Sequence, residues 1–293
     1  MNTRVRQCMN GISGLLLTIC VTNLYAEDLR VGGSTTALPI ISSCASHFME
    51  KFPSWINADS TLPNEATIIY VTGGGSGFGV KGLLTGTIDL GMVSRELKDT
   101  EIKSLGEPVA QAFARDAVAI ATNSKSPLVK VRKDFTSAEL SAIFSGKVNQ
   151  FSKIDKKLPS STIILLARDA SGGTTEVFQQ RVLKEERFSA DRLQFPSTAG
   201  LIKKLETSDS AIGLAAAGSI SQDDKITVYS VDGIAPTQEN IVSNKYLLSR
   251  PLLIVAKANP SRRSQLFIDY VVHGECQATV DELGFVPVNP IKK

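Results

Sequence analysis

Apolar runs along this chain are separated by short clusters of glycine and hydroxyl residues, a pattern that predicts strands feeding helices. Residues 66–71 are rich in β-branched side chains and predict a buried strand. Gly73, Gly74, Gly75, Ser76, Gly77 and Gly79 follow, and the apolar residues 80–84 then open a helix. Residues 29–31 predict a second strand, followed by Gly32, Gly33, Ser34, Thr35 and Thr36. Pro39 suits a first helical turn, and Ile41, Cys44 and Phe48 recur at helical spacing. The third instance starts from an apolar strand at 162–167 and passes through Arg168, Asp169, Ala170, Ser171, Gly172, Gly173, Thr174 and Thr175. Its helix carries Val177, Phe178 and Val182 on one face. Further helices are predicted over 101–105, 137–144, 201–205, 263–274 and 276–283, with a buried strand over 211–215. Two long extended runs, 108–122 and 246–256, outlast one compact unit and are read as crossings between two lobes of an α/β protein.

The repeated unit suggests a chemistry. The first turn of a helix presents unpaired N–H groups and the positive end of the helix dipole, and glycines admit a ligand close to the backbone. Two of the three units also carry an arginine: Arg95, after the apolar run 88–93 and Ser94, and Arg168. Amides, hydroxyls and a guanidinium fork are what a compact oxyanion needs. Helix capping explains the hydroxyls of any one loop, and ion pairs with Glu96 and Asp169 explain either arginine. The coincidence of arginine and several hydroxyls in two loops favours the anion.

Composition narrows the setting. With 293 residues, 42% of them hydrophobic and 21% charged, the chain is an ordinary globular one, long enough for two lobes. Residues 1–26 read as a signal peptide: Arg4 and Arg6, an apolar run at 11–21, and Leu24-Tyr25-Ala26 at the cleavage site. Cys20 follows the bulky Ile19 and is read as part of that leader rather than as a lipid anchor. Removing the leader takes two of the 32 basic residues and none of the 29 acidic ones, leaving +1. A near-neutral exported chain argues against nucleic acid and against a membrane surface as the main partner. Of the four cysteines, Cys44 and Cys276 remain, and either a disulfide or two buried thiols accounts for them.

Other chemistries lack their parts. Gly77-Phe78-Gly79-Val80-Lys81-Gly82 matches G-x-G-x-x-G, yet no acid stands about twenty residues later, as dinucleotide binding requires. Gly146-Lys147 lacks the remainder of a P-loop, and Ser76 lacks the glycine two residues on that a nucleophile elbow needs. Two histidines, His47 and His273, do not make a metal centre. The chain offers donors to hold an anion and little to attack one, so neither enzyme chemistry nor a cofactor nor a metal is expected.

At these residues the chain resembles the phosphate-binding proteins of Pst-type ABC importers, in the type II periplasmic binding protein superfamily. The likeness rests on Gly33-Ser34-Thr35-Thr36 with Pro39, on Gly74-Gly75-Ser76-Gly77, and on Ile88-Asp89-Leu90-Gly91 with Ser94-Arg95-Glu96-Leu97. It continues through Leu140 with Ile143-Phe144-Ser145-Gly146, through Arg168 with Ser171-Gly172-Gly173-Thr174, and through Gly284-Phe285-Val286-Pro287. The resemblance implies two α/β lobes, each a central sheet flanked by helices, closing on phosphate in the cleft. Lobe I would take residues 27–114, lobe II 115–252, and 253–293 would return to lobe I. The implied ligand set is Ser34, Thr35, Thr36, Gly75, Ser76, Gly77, Ser94, Arg95, Arg168, Ser171, Gly172, Gly173 and Thr174. The implied partners are inorganic phosphate and a membrane ABC permease, with the binding protein a monomer in the periplasm, secreted or at the surface. Some members carry a carboxylate where this chain has Ser94, so acceptance of a phosphate proton would fall to Asp89, Glu96 or Asp169. The alternatives are another oxyanion, such as sulfate or an organic phosphate, and an adhesion or phosphate-sensing protein on the same fold.

Overall fold

The computed structural model describes residues 28–289; the leader read at residues 1–26 lies outside them. Strand β1 (Leu29–Gly33) leads into α1 (Leu38–Lys51) and the single turn α2 (Trp55–Ala58). Strand β2 (Ile69–Gly73) leads into α3 (Ser76–Thr85), and β3 (Leu90–Val93) into α4 (Asp99–Leu105). The long β4 (Val109–Asn123) then crosses into a second lobe. There β5 (Asp134–Phe135), α5 (Ser137–Phe144), α6 (Phe151–Ile154), β6 (Ile164–Arg168) and α7 (Gly173–Phe178) come first. They are followed by β7 (Leu193–Phe195), α8 (Thr198–Glu206), β8 (Ala211–Ala216), β9 (Ile226–Val231) and α9 (Gln238–Val242). Strand β10 (Ser249–Ala256) returns, and α10 (Arg262–His273), α11 (Cys276–Glu282) and β11 (Val286–Pro287) close the chain.

One strand belongs to both lobes. In the first, β2, β1 and β3 are parallel and β10 runs antiparallel to β3. The N-terminal part of β4 pairs with β10 from Val109 to Ala117. Its C-terminal part, Val118 to Asn123, pairs antiparallel with β8 on one edge and β9 on the other, and β8, β6 and β7 continue in parallel. Pro251 pairs with β4 but lies outside the β3 ladder, which begins at Leu253, so its missing N–H leaves no donor wanting on that side. The run 246–256 becomes strand only from Ser249, because Tyr246 bends its carbonyl back to accept the Ser249 N–H. Strands β7 and β9 escaped the pattern reading: β7 is an edge strand with Leu193 and Gln194 exposed.

Each lobe has its own aromatic centre. Phe48 meets Trp55, Phe267 and Tyr270 in the first, and Phe144 meets Phe178 in the second with their centroids 4.7 Å apart. Cys44 on α1 and Cys276 on α11 form a disulfide, which settles the two readings left open above. Two glycines of the G-x-G-x-x-G match, Gly79 and Gly82, serve packing. A Cβ on Gly79 would stand 2.7 Å from the Met92 carbonyl oxygen, so α3 lies directly on β3. No helix among the described residues is long and apolar enough to cross a membrane.

Candidate anion site in the cleft

The strand–loop–helix units bring their hydroxyls to one place because each loop ends at the cleft. From the first lobe come Thr36, before α1; Ser76, the first residue of α3; and Ser94, just after β3. From the second come Thr174 on α7 and Thr198 at the start of α8. Ser76 and Ser94 share a hydrogen bond of 3.1 Å, and the Ser94 N–H donates to Ser76 Oγ at 3.0 Å. Thr198 Oγ1 lies 3.1 Å from Thr35 Oγ1 and 3.3 Å from Thr36 Oγ1.

The centre of this cluster is a residue the sequence reading did not choose. Arg250 on β10 is fully buried, and its Nη1 donates to Thr174 Oγ1 at 3.0 Å and reaches Ser94 Oγ at 3.5 Å. Its Nη2 donates to Thr36 Oγ1 at 3.3 Å. Arg250 stands directly across the β4–β10 ladder from Asp116, also fully buried, whose Oδ2 accepts from Nε and Nη2 at 3.0 and 2.6 Å. Asp116 Oδ1 accepts the Gly218 N–H at 3.0 Å, which fixes the carboxylate from the second lobe. A sequence signal for the pair existed. Both predicted crossings are apolar runs broken by charge near the point where they meet, Arg115 and Asp116 in the first and Arg250 in the second.

Arg168, at the end of β6, closes the site from the other side. It donates to the Phe195 and Pro196 carbonyls at 2.9 and 2.8 Å and to Thr35 Oγ1. Its pKa lies below the ordinary guanidinium value: burial is the main cause, Asp169 partly offsets it, and the like charge of Arg250 pushes the same way as burial. Two buried guanidinium groups thus stand beside a ring of hydroxyls, a set of donors of the kind an oxyanion accepts from.

Other expected residues point elsewhere. Arg95 is buried but turned to carboxylates: Nη1 and Nη2 donate to Glu101 at 2.8 and 2.7 Å, Nε donates to Glu176, and Nη1 also donates to the Glu96 carbonyl at 2.9 Å. Burial would lower its pKa, but Glu101 and Glu176 outweigh that and raise it. Ser34 Oγ caps its own turn, accepting from the Thr36 and Ala37 amides. The Gly75 amide donates to Gly33, the Gly172 amide to Asp169, and the Gly77 amide across the cleft to the Ser171 carbonyl at 3.2 Å. Ser171 Oγ also lies 3.0 Å from the Gly74 carbonyl oxygen, so Ser171 joins the lobes. Gly75 has φ +91°, and a Cβ there would lie 2.5 Å from the Ser171 oxygen, so the contact between lobes needs glycine.

Gly173 packs directly against two of the hydroxyls. A Cβ there would stand 2.4 Å from Ser94 Oγ and 2.6 Å from Ser76 Oγ. Gly173→Ala is therefore expected to weaken anion binding by about tenfold to a hundredfold, the equivalent of about 1–3 kcal/mol of overpacking. Titration of the purified variant, with its melting curve as control, checks this.

None of the three acids named for the phosphate proton bonds to the hydroxyl cluster, although Asp169 lies 3.6 Å from Arg168. Asp89 pairs with Arg30 near the surface, Glu96 is exposed, and Asp169 accepts the N–H and hydroxyl of Ser171. Of the carboxylates, Asp116 is the one buried against the guanidinium at the centre.

Two α/β lobes sharing a crossing strand, with hydroxyls and arginines gathered between them, define a two-lobed solute-binding protein. The family described as a PBP superfamily domain matches residues 22–275, and the chain belongs to it. It is 26% identical over 287 residues to the phosphate-binding protein PstS of Borreliella burgdorferi, covering 94% of this chain and 96% of that one. It is 27% identical over 269 residues to PstS of Bacillus subtilis, covering 90% and 82%. Its fold is similar to that of a putative phosphate ABC transporter substrate-binding protein with bound phosphate from Clostridium perfringens. That match has a TM-score of 0.77 and 25% identity, over 89% of this chain and 100% of the other. An ABC-type phosphate transport receptor from Vibrio cholerae shares the fold with a TM-score of 0.69 at 23% identity, over 88% and 99% of the two chains.

Proposed function

We propose that this chain is an exported, monomeric solute-binding protein that captures inorganic phosphate between its lobes and delivers it to a membrane ABC permease, without chemistry on the ligand. The observation that carries the reading is the pair Arg168 and Arg250, two buried guanidinium groups bonded to neighbouring hydroxyls, Arg168 to Thr35 and Arg250 to Thr36 and Thr174. The PstS relatives and the phosphate-bound structure supply the identity of the anion. Binding in such a site comes from oriented donors in a low-dielectric cleft, where each charge-assisted hydrogen bond is strong.

Equilibrium dialysis with radiolabelled phosphate tests the site. Arg168→Met is expected to lower affinity about 100-fold, the equivalent of about 3 kcal/mol for a desolvated charge pair. Arg263→Ala, which removes a mostly buried partner of Glu65 that lies over Trp55 in the first lobe and takes no part in the hydroxyl cluster, is expected to leave affinity within about twofold. Equal loss in both would refute the placement.

One observation favours a second reading, an organic phosphate. A largely apolar cavity of about 440 Å³ adjoins the hydroxyl cluster, sharing Thr35 and Thr198 with it and lined further by Leu38, Ile202 and Phe285. Competition of phenyl phosphate against radiolabelled phosphate separates the two: displacement at equal concentration supports the ester, and none supports inorganic phosphate alone.

A further inference from the structure

Arg95 does not face the anion, yet it is buried, and its partners come from both lobes. Glu101, on α4 of its own lobe, receives both terminal nitrogens at 2.7 and 2.8 Å and also accepts the Lys98 N–H at 2.9 Å. Glu176, on α7 of the other lobe, receives Arg95 Nε and, on its second oxygen, Lys98 Nζ at 2.7 Å. The side chains of Arg95, Glu101 and Glu176 are 2%, 17% and 15% exposed, so solvent screens these charges only in part.

The two carboxylates differ in what happens when the cleft opens. Glu101 moves with Arg95 and keeps its two-pronged contact, so the guanidinium is never left without a partner. Glu176 leaves with the second lobe, and both of its ion pairs are broken at once. The free energy of the Glu176 contacts is therefore present only while the lobes touch. Their position also matters. Arg95 follows Ser94, and Glu176 lies two residues beyond Thr174, so these contacts clamp the same two segments that bring a hydroxyl from each lobe to Arg250.

We propose that Arg95, Lys98 and Glu176 form an ionic clasp between the lobes that holds the cleft shut and sets how fast the bound anion is released. The clasp makes no contact with the anion and acts through the segments it holds together. Glu101 is its standing support: burial opposes ionisation, but the Arg95 fork and the Lys98 amide outweigh it and keep this carboxyl below its usual range. The inference deepens the phosphate-binding reading and rests on it for its second readout only.

The first readout needs no ligand. The Gly77 amide donates to Ser171 across the cleft, so its hydrogen exchange in phosphate-free protein reports opening. Glu176→Gln is expected to speed exchange in the peptide containing Gly77 about tenfold, while amides of β4 such as Ile120 keep their rates. Glu176→Asp, which retains the charge on a shorter arm, is expected to fall between. The second readout is release of radiolabelled phosphate into an excess of unlabelled phosphate. Glu176→Gln is expected to release about tenfold faster with its association rate within about twofold, as for loss of a partly buried charge pair. Unchanged exchange at Gly77, or a loss of affinity carried by association alone, would overturn the clasp. Failure of the parent protein to bind phosphate would instead overturn the ligand assignment, with the exchange result still deciding the clasp.

Discussion

An Arg250→Met protein is expected to bind no phosphate and to unfold more easily by about 3–5 kcal/mol. Both effects follow from where the residue stands. Arg250 pairs with Asp116 across the β4–β10 ladder and is completely enclosed, so removing its charge leaves an unpaired carboxylate in the interior. The same change reverses the charge presented to an incoming anion, from a guanidinium with its donors on Thr36 and Thr174 to a bare Asp116. A second substitution separates the two effects. Asp116→Asn added to Arg250→Met removes the orphan charge while its side-chain oxygen still accepts the Gly218 N–H. The double variant is expected to regain most of the lost stability in urea unfolding and none of the binding. Recovery of binding would show that Arg250 serves the fold alone.

Cys44→Ser with Cys276→Ser is the other large change, and it should touch stability without touching the ligand. The disulfide joins α1 to α11 across 232 positions of sequence. Releasing a loop of that length frees the unfolded chain by about 5 kcal/mol in the chain-entropy account, with about 2–5 kcal/mol the usual experimental range. For a chain of this size each kcal/mol moves the melting temperature by about 2–4 °C, so a fall of about 10 °C is expected. Both cysteines lie in the core of the first lobe, away from the hydroxyl cluster, so the dissociation constant at 25 °C is expected to stay within about twofold. Thermal unfolding with and without reductant, beside a titration, checks both statements.

The sequence made the frame legible because period and punctuation agree there. Residues 137–144 coincide with α5, and the run 108–122 differs from β4 by one residue at each end. Strand β9, by contrast, alternates its buried positions irregularly, and no glycine or proline marks its start. The site divided in the same way. Thr35, Thr36, Ser76, Ser94, Arg168, Gly173 and Thr174 lie together because each sits where a strand hands over to a helix, a place that local pattern identifies. Arg250 and Asp116 lie in mid-strand, and their meaning depends on two distant strands being neighbours in one register. Arg95 was misplaced for the same reason: the acid next to it, Glu96, is exposed, and its true partners are six and 81 residues away. Motifs locate donors, but which donors remain available to a ligand is decided by partners that tertiary structure brings in.

The central claim is that one anion binds between Arg168 and Arg250, and the direct test is calorimetric titration of phosphate-stripped protein with phosphate, followed by sulfate. One-to-one binding of phosphate is the expected result, and the sulfate titration measures how strictly the site selects it, since both Asp116 oxygens are already taken by Arg250 and the Gly218 N–H. Absence of heat with phosphate at millimolar concentration, in protein that melts cooperatively, would contradict the account.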